Sequence, residues 1–254
     1  MSKNIILVTG SSSGFGRMTA VALARAGHTV YASMRDVAGR NSSNAADLTN
    51  LAVREGIDIR PVELDVQSDP SVKSAIAGII AESGLIDVVI HNAGHMMFGP
   101  AEAFTPEQFA QQYDVNVLGT QRINRAVLPH MREKMKGLLV WISSSSSAGG
   151  TPPYLSPYFA AKAAMDSLAV QYARELSLWS IGTTIVVPGA FTKRTNHFAN
   201  SGKPEDLSRV AEYESGTSSG FAHRMQRAFG ERGPDEADQA HVGDMRVDAI
   251  ADPD

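Results

Sequence analysis

Short runs of apolar, β-forming residues alternate along the chain with longer segments of helical periodicity. Most of the runs are largely apolar rather than alternating, which is typical of parallel strands covered on both faces. Each helical segment places apolar residues three or four positions apart. The pattern predicts an α/β fold, a single doubly wound parallel sheet with helices on both faces. The strand runs are Asn4–Thr9, His28–Met34, Ile57–Leu64, Ile86–His91, Leu138–Ser143 and Thr183–Val187, and the helical segments are Gly14–Ala26, Ser43–Glu55, Pro70–Glu82, Pro106–Met135 and Pro157–Trp179.

The pattern changes after the last of these runs. No further β-rich run follows Val187, and Gly, Ser, Asp and Glu become frequent. We predict one domain over residues 1–229, in which residues 190–229 form a substrate loop and lid, followed by an acidic, partly disordered tail over residues 230–254. The position of a last strand is left open, because Asp248–Ile250 is too short a run to be a convincing candidate.

Composition excludes several classes of protein. The 23 Lys and Arg against 27 Asp and Glu leave a net charge of −4, which argues against nucleic acid or an anionic membrane as the main partner. The absence of Cys excludes disulfides, thiolate zinc sites and a Cys nucleophile. Since no cluster of His, Asp and Glu has metal-ligand spacing, we expect no metal. A soluble, cytoplasmic protein that acts on a small molecule is the expectation.

A glycine-rich loop joins the first strand to the first helix. The string runs from Thr9 to Gly16 and has glycines at 10, 14 and 16. Such a loop lets the backbone turn sharply and approach a pyrophosphate, and the helix N-terminus adds free N–H groups. A plain glycine-rich turn is the alternative, but the position between strand and helix favours a dinucleotide site.

The end of the second strand bears on which nucleotide binds. An acid there would bond the adenosine ribose and repel a 2′-phosphate, but Met34 holds that position and Arg35 follows it. A guanidinium suits a phosphate, so NADP(H) is favoured. A shift of one residue would instead place Asp36 on the ribose and favour NAD(H), and a solvated Arg35–Asp36 turn pair is a third interpretation.

Tyr158 and Lys162 are four residues apart in the last helical segment. This spacing puts both side chains on one helix face, where the ammonium is expected to lower the pKa of the phenol and make it a proton donor and acceptor. Ser144 and Ser145 lie in a run of five serines at the end of the fifth strand, where a hydroxyl can hold a substrate oxygen. For any single serine of the run, a plain flexible loop is the alternative.

Taken together, these motifs resemble the short-chain dehydrogenase/reductase family, whose domain is Rossmann-like, over roughly residues 1–200. The resemblance is carried by motifs in the family's order, namely Thr9-Gly10 to Gly16, Asp65, Asn92-Ala93-Gly94, Asn116, the serine run, Tyr158 with Lys162, and Pro188-Gly189.

The resemblance implies a role for each of these residues. Tyr158, Lys162, Asn116 and one of Ser144 and Ser145 would be catalytic. Asn116 would hold a water that links Lys162 to solvent, although an Asn inside a helix also bonds back to its own helix. Cofactor contacts are implied for Gly10, Ser12, Ser13, Gly14, Phe15, Gly16, Arg35, Asp65, Val66, Asn92, Ala93, Gly94, Tyr158, Lys162, Pro188, Gly189, Phe191 and Thr192.

The reaction so implied is reversible reduction of a ketone or aldehyde by hydride transfer. Two departures from the family matter: counting from the strand and counting back from Tyr158 select different serines, and the missing final strand puts a tetramer in doubt while leaving a homodimer through the helices of Asn116 and Tyr158. The stripe Phe221, Met225 and Phe229 indicates either simple packing or an apolar substrate wall. A nucleotide-binding sensor or scaffold that has lost activity, or an isomerase or lyase that regenerates its cofactor, are the alternatives.

Overall fold

A computed structural model describes residues 3–145, 152–188 and 201–231, without the side chains of residues 226 and 228–231. Six strands in this part of the chain form one sheet in the order β3-β2-β1-β4-β5-β6, and every pairing is parallel. The predicted α/β fold is confirmed. The strands are β1 Ile5–Val8, β2 Thr29–Met34, β3 Ile59–Glu63, β4 Val88–His91, β5 Gly137–Ile142 and β6 Ile181–Val186.

Helices cover both faces of the sheet. In β1, Leu7 packs with α3, α5 and α6, whereas its neighbours Ile6 and Val8 pack with α1 and α2 on the other face. This division produces two buried apolar layers, as a doubly wound sheet requires. The helices are α1 Gly14–Arg25, α2 Ser42–Glu55, α3 Asp69–Ser83, α4 Pro106–Tyr113, α5 Gly119–Lys134, α6 Ser156–Leu176, α7 Leu207–Glu214 and α8 Phe221–Glu231.

The segment Pro106–Met135, predicted as one helix, is interrupted. A π-helical turn over Asp114–Leu118 separates α4 from α5. Within the turn, the Asn116 side chain donates to the carbonyl of Gln112 at 2.9 Å. The prediction of a single regular helix was wrong because apolar spacing continues through the turn, whereas the one-residue expansion depends on local hydrogen bonds.

The chain beyond β6 contains α7 and α8, in the predicted lid. Phe221 and Met225 of α8 pack against a buried cluster that includes Phe98 and Tyr154. Residues 189–200 and 232–254 and the side chain of Phe229 lie outside the described residues. The boundaries at 229 and 230 and the search for a last strand therefore stay predictions.

Two glycines of the first loop lie against the end of β4. Gly10 has a φ of +68°, and a Cβ there would be 2.8 Å from the Cα of Ala93. A Cβ on Gly16 would be 2.3 Å from the carbonyl oxygen of Gly10 and 2.4 Å from Nδ2 of Asn92. The loop therefore has room only for glycine at both positions.

Paired glycine substitutions test this packing. Gly16→Ala should lower the free energy of unfolding by about 1–3 kcal/mol because of the overlap. Gly78→Ala is the control, since Gly78 lies in α3 and its Cβ would meet nothing within 4 Å. It should raise stability by about 0.5–1 kcal/mol, the usual effect of replacing a helical glycine. Urea unfolding measures both, and stabilisation by both variants would contradict the packing argument.

Candidate active site

The glycine loop is held to β4 by hydrogen bonds from Thr9 and Asn92. The Thr9 hydroxyl accepts the backbone N–H groups of Asn92 and Ala93, both at 3.0 Å, and donates to the carbonyl of Ile90 at 3.2 Å. The Asn92 amide in turn donates to the carbonyls of Thr9 and Gly10 at 2.9 and 3.2 Å. Asn92 thus shapes the nucleotide side of the cleft by positioning the loop.

The first turn of α1 directly follows this loop. Ser13 is the N-cap residue and its side chain makes no capping hydrogen bond. Ser13 and Gly14 are exposed, and Ser12 and Phe15 are partly buried. Free N–H groups at a helix N-terminus form an anion site, so this turn fits the phosphates of a dinucleotide.

Arg35 and Asp36 follow β2 and play different parts. The Asp36 carboxylate accepts the backbone N–H of Arg40 at 2.8 Å, and the Glu63 carboxylate accepts the N–H groups of Asp36 and Val37. Asp36 therefore closes its own turn. Arg35 is exposed, and its charge contributes, after burial, to lowering the pKa of His95 in the loop that follows β4.

Asp65 and Val66 lie at the carboxyl end of β3. One carboxylate oxygen of Asp65 accepts the backbone N–H of Gln67 at 3.0 Å. Val66 is buried and its carbonyl accepts from Arg122 at 3.1 Å. The pair thus lies at the same sheet edge as the glycine loop, as expected of parallel strands.

The hydroxyl of Ser144 is the one that reaches Tyr158. Tyr158 lies in the first turn of α6, and Ser144 is hydrogen-bonded to its phenol. Ser145, the other candidate, is the next residue and is partly buried. Ser144 is also the serine selected by counting from the strand.

Burial raises the pKa of the Tyr158 phenol; the hydrogen bond from Ser144 opposes this effect and the negative charge of Asp166 adds to it. The prediction that Lys162 lowers this pKa is wrong for the structure described. Its Nζ lies 5.9 Å from the centre of the Tyr158 ring and donates to the carbonyl of Ile142 at 2.7 Å. Desolvation is the largest of the effects on this phenol.

A chain of hydrogen bonds orients Asn116. Its amide nitrogen donates to the carbonyl and to Oε1 of Gln112 at 2.9 and 3.1 Å, which is the bond back to its own helix that the sequence offered as the alternative; the role of holding a water stays a prediction. Its Oδ1 is buried without a protein partner, 2.8 Å from where a Cβ of Gly94 would lie. The Nζ of Lys162 is 3.8 Å from that same point. Gly94 thus leaves room for a small polar group, such as water, beside Lys162.

The same chain determines the protonation of His95. Because Oε1 of Gln112 accepts from Asn116, its Nε2 faces Nε2 of His95 at 2.7 Å as the donor. The imidazole must then accept at Nε2 and carry its proton on Nδ1. Burial, and after it the charge of Arg35, lowers the pKa of His95 and favours the neutral ring.

Nitrogen-15 NMR should find His95 neutral with its proton on Nδ1 and a pKa below the ordinary 6.5. The contact is present above that pKa and is lost as pH falls through it. His223, which is exposed on α8, is the control ring. A His95 ring protonated at pH 7 would contradict the assignment.

Several residues of the site escaped the sequence analysis. Gln112, His95 and Asp166 have no motif of their own, although Gln112 lies four residues before Asn116 and Asp166 four after Lys162. His91 is also buried, and burial lowers its pKa to about 4. The helical spacing is the one signal that pointed to Gln112 and Asp166.

An apolar groove of about 700 Å³ opens beside α6. It lies between the start of α6 and the segment that carries α7 and α8. Pro188 lies two residues after the end of β6, and the predicted contacts Gly189, Phe191 and Thr192 lie outside the described residues. The groove is lined by Ala101, Pro152, Pro153, Tyr154, Ser156, Phe159, Tyr213, Thr217, Ser218 and Phe221.

The described part of the chain contains neither of two further kinds of feature, a metal site and a membrane-spanning helix. No group of three His, Asp or Glu side chains there is arranged to hold a metal ion. Among the helices described, none combines the length and apolarity needed to cross a membrane.

Comparison with known proteins identifies the family. Residues 4–206 match the family model for short chain dehydrogenase. The chain is 35% identical to 3-ketodihydrosphingosine reductase of Bacteroides thetaiotaomicron, over 81% of this chain and 72% of that protein. It is 34% identical to mouse 17-beta-hydroxysteroid dehydrogenase type 1, over 75% and 55%. The structure of a gluconate 5-dehydrogenase from Burkholderia cenocepacia, in complex with NADP and tartrate, is similar with a TM-score of 0.68, at 28% identity over 74% and 72%.

Proposed function

This chain belongs to the short-chain dehydrogenase family, and we propose that it reduces the carbonyl of an apolar ketone or aldehyde, or oxidises the matching alcohol, with NADP(H). The observation that carries the proposal is the hydrogen bond of Ser144 to Tyr158 with Lys162 one helical turn away. A nucleotide-binding sensor that has lost activity would have no physical need for this arrangement.

The residues of the cleft fit a nicotinamide dinucleotide. The first turn of α1 offers backbone donors to the phosphates, and a Cβ at Gly10 or Gly16 would close the loop that approaches them. When bound, the nicotinamide supplies or accepts the hydride. The positions of Gly14, Asp65 and Asn92 at the same sheet edge support this placement.

Tyr158 moves the proton in the proposed reaction. Since burial raises the pKa of its phenol, Tyr158 is protonated at neutral pH and is suited to donate to the carbonyl oxygen during reduction. The Ser144 hydroxyl polarises that oxygen. Lys162 is attached to the end of β5 by its hydrogen bond to the carbonyl of Ile142. The buried Oδ1 of Asn116 faces the space beside Lys162, and in this proposal Tyr158 regains its proton from that space.

Replacement of the phenol tests this role. Tyr158→Phe should lower kcat about 10²–10⁴-fold, the usual range for loss of a general acid, while NADPH binding stays unchanged. Tyr113→Phe, at the exposed last residue of α4, is the matched control and should keep full activity. Cofactor absorbance with a panel of apolar ketones and aldehydes measures turnover, and comparable rates in both variants would remove Tyr158 from the reaction.

The preference for NADP(H) rests on Arg35. Because the Asp36 carboxylate is engaged by the backbone of Arg40, the exposed guanidinium of Arg35 is the group at this turn that is suited to a 2′-phosphate. NAD(H) is the alternative if the turn rearranges and releases Asp36 to the ribose.

Arg35→Ala should weaken NADPH binding through loss of a charged hydrogen bond worth about 1.5–3 kcal/mol, with little change for NADH. Arg54→Ala, at an exposed arginine of α2, is the control and should affect neither cofactor. Fluorescence titration of both reduced cofactors measures the difference. An equal loss for NADPH and NADH would mean that Arg35 does not contact the phosphate.

The substrate is proposed to have a hydrophobic body. The groove beside α6 is lined largely by aromatic and proline side chains, and the cluster of Phe98, Tyr154 and Phe221 reaches Tyr158. Two relatives carry names of lipid-like substrates, a ketosphingoid base and a steroid. Long-chain and polycyclic ketones are therefore the first compounds to try.

A homodimer through the helices of Asn116 and Tyr158 is also proposed. Tyr113, Leu118 and Val170 on these helices expose 40–45% of their surface, and exposed apolar side chains on adjoining helices favour a contact between subunits. Sedimentation measures this state. A cytoplasmic location stays a prediction.

A further inference from the structure

Helix α6 contacts the end of β5 at three successive residues. Tyr158 is hydrogen-bonded to Ser144, the Nζ of Lys162 donates to the carbonyl of Ile142 at 2.7 Å, and the hydroxyl of Ser143 donates to Oδ2 of Asp166 at 2.6 Å. The helical members of these contacts are spaced four residues apart, so all three lie on one face of α6.

Asp166 differs from the acidic side chains on the surface. Its Oδ1 is buried without a partner, and its Oδ2 accepts the short bond from Ser143. A carboxylate in this position costs desolvation free energy that an apolar side chain would not. The sequence assigns it no part in the reaction, which leaves its position to be explained.

The backbone at Ser143 is already fixed on its other side. Its N–H donates to the carbonyl of Val186 in β6 at 2.9 Å. The bond to Asp166 adds a side-chain restraint at the last point before the chain leaves the sheet. Because Ser144 is the next residue, fixing the backbone at Ser143 also restricts the position of the Ser144 hydroxyl.

We propose that Asp166 is a positioning residue of the site: through Ser143 it holds the Ser144 hydroxyl against Tyr158, from a place on the same face of α6 as the phenol. This inference rests on the proposed function for its kinetic consequence. Its electrostatic consequence concerns the free protein and does not depend on turnover.

The charge of Asp166 acts on Tyr158 in a defined direction. A nearby anion disfavours the phenolate and raises the pKa of the phenol. Lys162 also lies close to the ring, with its Nζ 5.9 Å from the ring centre, while the His91 and His95 rings have lowered pKa values and are neutral in the alkaline range. Removing the charge at position 166 should therefore move the titration of Tyr158 to lower pH.

Two substitutions separate the charge from the hydrogen bond. Asp166→Asn keeps an oxygen for Ser143 and removes the charge, whereas Ser143→Ala keeps the carboxylate and removes the bond. Asp47→Asn, at an exposed aspartate of α2, is the matched control. Incorporation of 3-fluorotyrosine makes the phenols more acidic, and fluorine-19 NMR then follows each of the six tyrosines, with Tyr158→Phe assigning the signal.

The fluorine signal of Tyr158 should titrate at lower pH in Asp166→Asn than in the wild-type protein, and at the wild-type pH in Asp47→Asn. In the same variant, the alkaline decline of carbonyl reduction should move to lower pH. Ser143→Ala should lose about tenfold in kcat through misplacement of Ser144, with the KM for NADPH unchanged.

An unchanged Tyr158 titration in Asp166→Asn, or an unchanged kcat in Ser143→Ala, would overturn the proposal. Should Asp166→Asn fail to fold, Ser143→Ala still decides the positioning role. The fluorine titration needs no turnover, so a wild-type protein that reduces none of the carbonyls would remove the proposed function and would leave the Asp166 result readable.

Discussion

The attachment of α6 to the carboxyl end of β5 is the constraint on which the rest of the site depends. Lys162 is 3% exposed, and its ammonium is held by the carbonyl of Ile142. A buried charge of this kind is tolerated only where hydrogen bonds replace its hydration. Because β5 lies between β4 and β6, this one attachment places a face of α6 beside the loop that follows β4 at the same edge of the sheet.

The nucleotide side of the cleft is also held together by hydrogen bonds between strand ends, but here the groups are neutral. Thr9 and Asn92 exchange hydrogen bonds between the ends of β1 and β4, and glycines remove the side chains that would separate the two loops. The π-helical turn then brings Asn116 to the point that Gly94 leaves open. The cleft is thus lined by backbone donors and a few buried polar side chains.

The fold and most of the motif residues follow from local patterns. Largely apolar runs predicted all six strands, because parallel strands are buried on both faces. This signal does not depend on the order in which the strands pair. The glycine spacing predicted a phosphate loop because positive φ and close backbone approach both require glycine. Tyr158 and Lys162 share a face because helical periodicity is local.

Contacts between distant segments lay beyond the sequence. Periodicity could not show the π-helical turn, since its apolar spacing matches a regular helix, and counting could not choose between Ser144 and Ser145. The environment of Tyr158 was predicted with the wrong sign, because a neighbouring cation is visible in the sequence and desolvation is not. The sequence by itself determined which segments form strands and helices and which residues are candidates for the chemistry; the tertiary structure decided the strand order and the hydrogen-bond partners and protonation of these residues, because all of them depend on contacts among residues far apart in the chain.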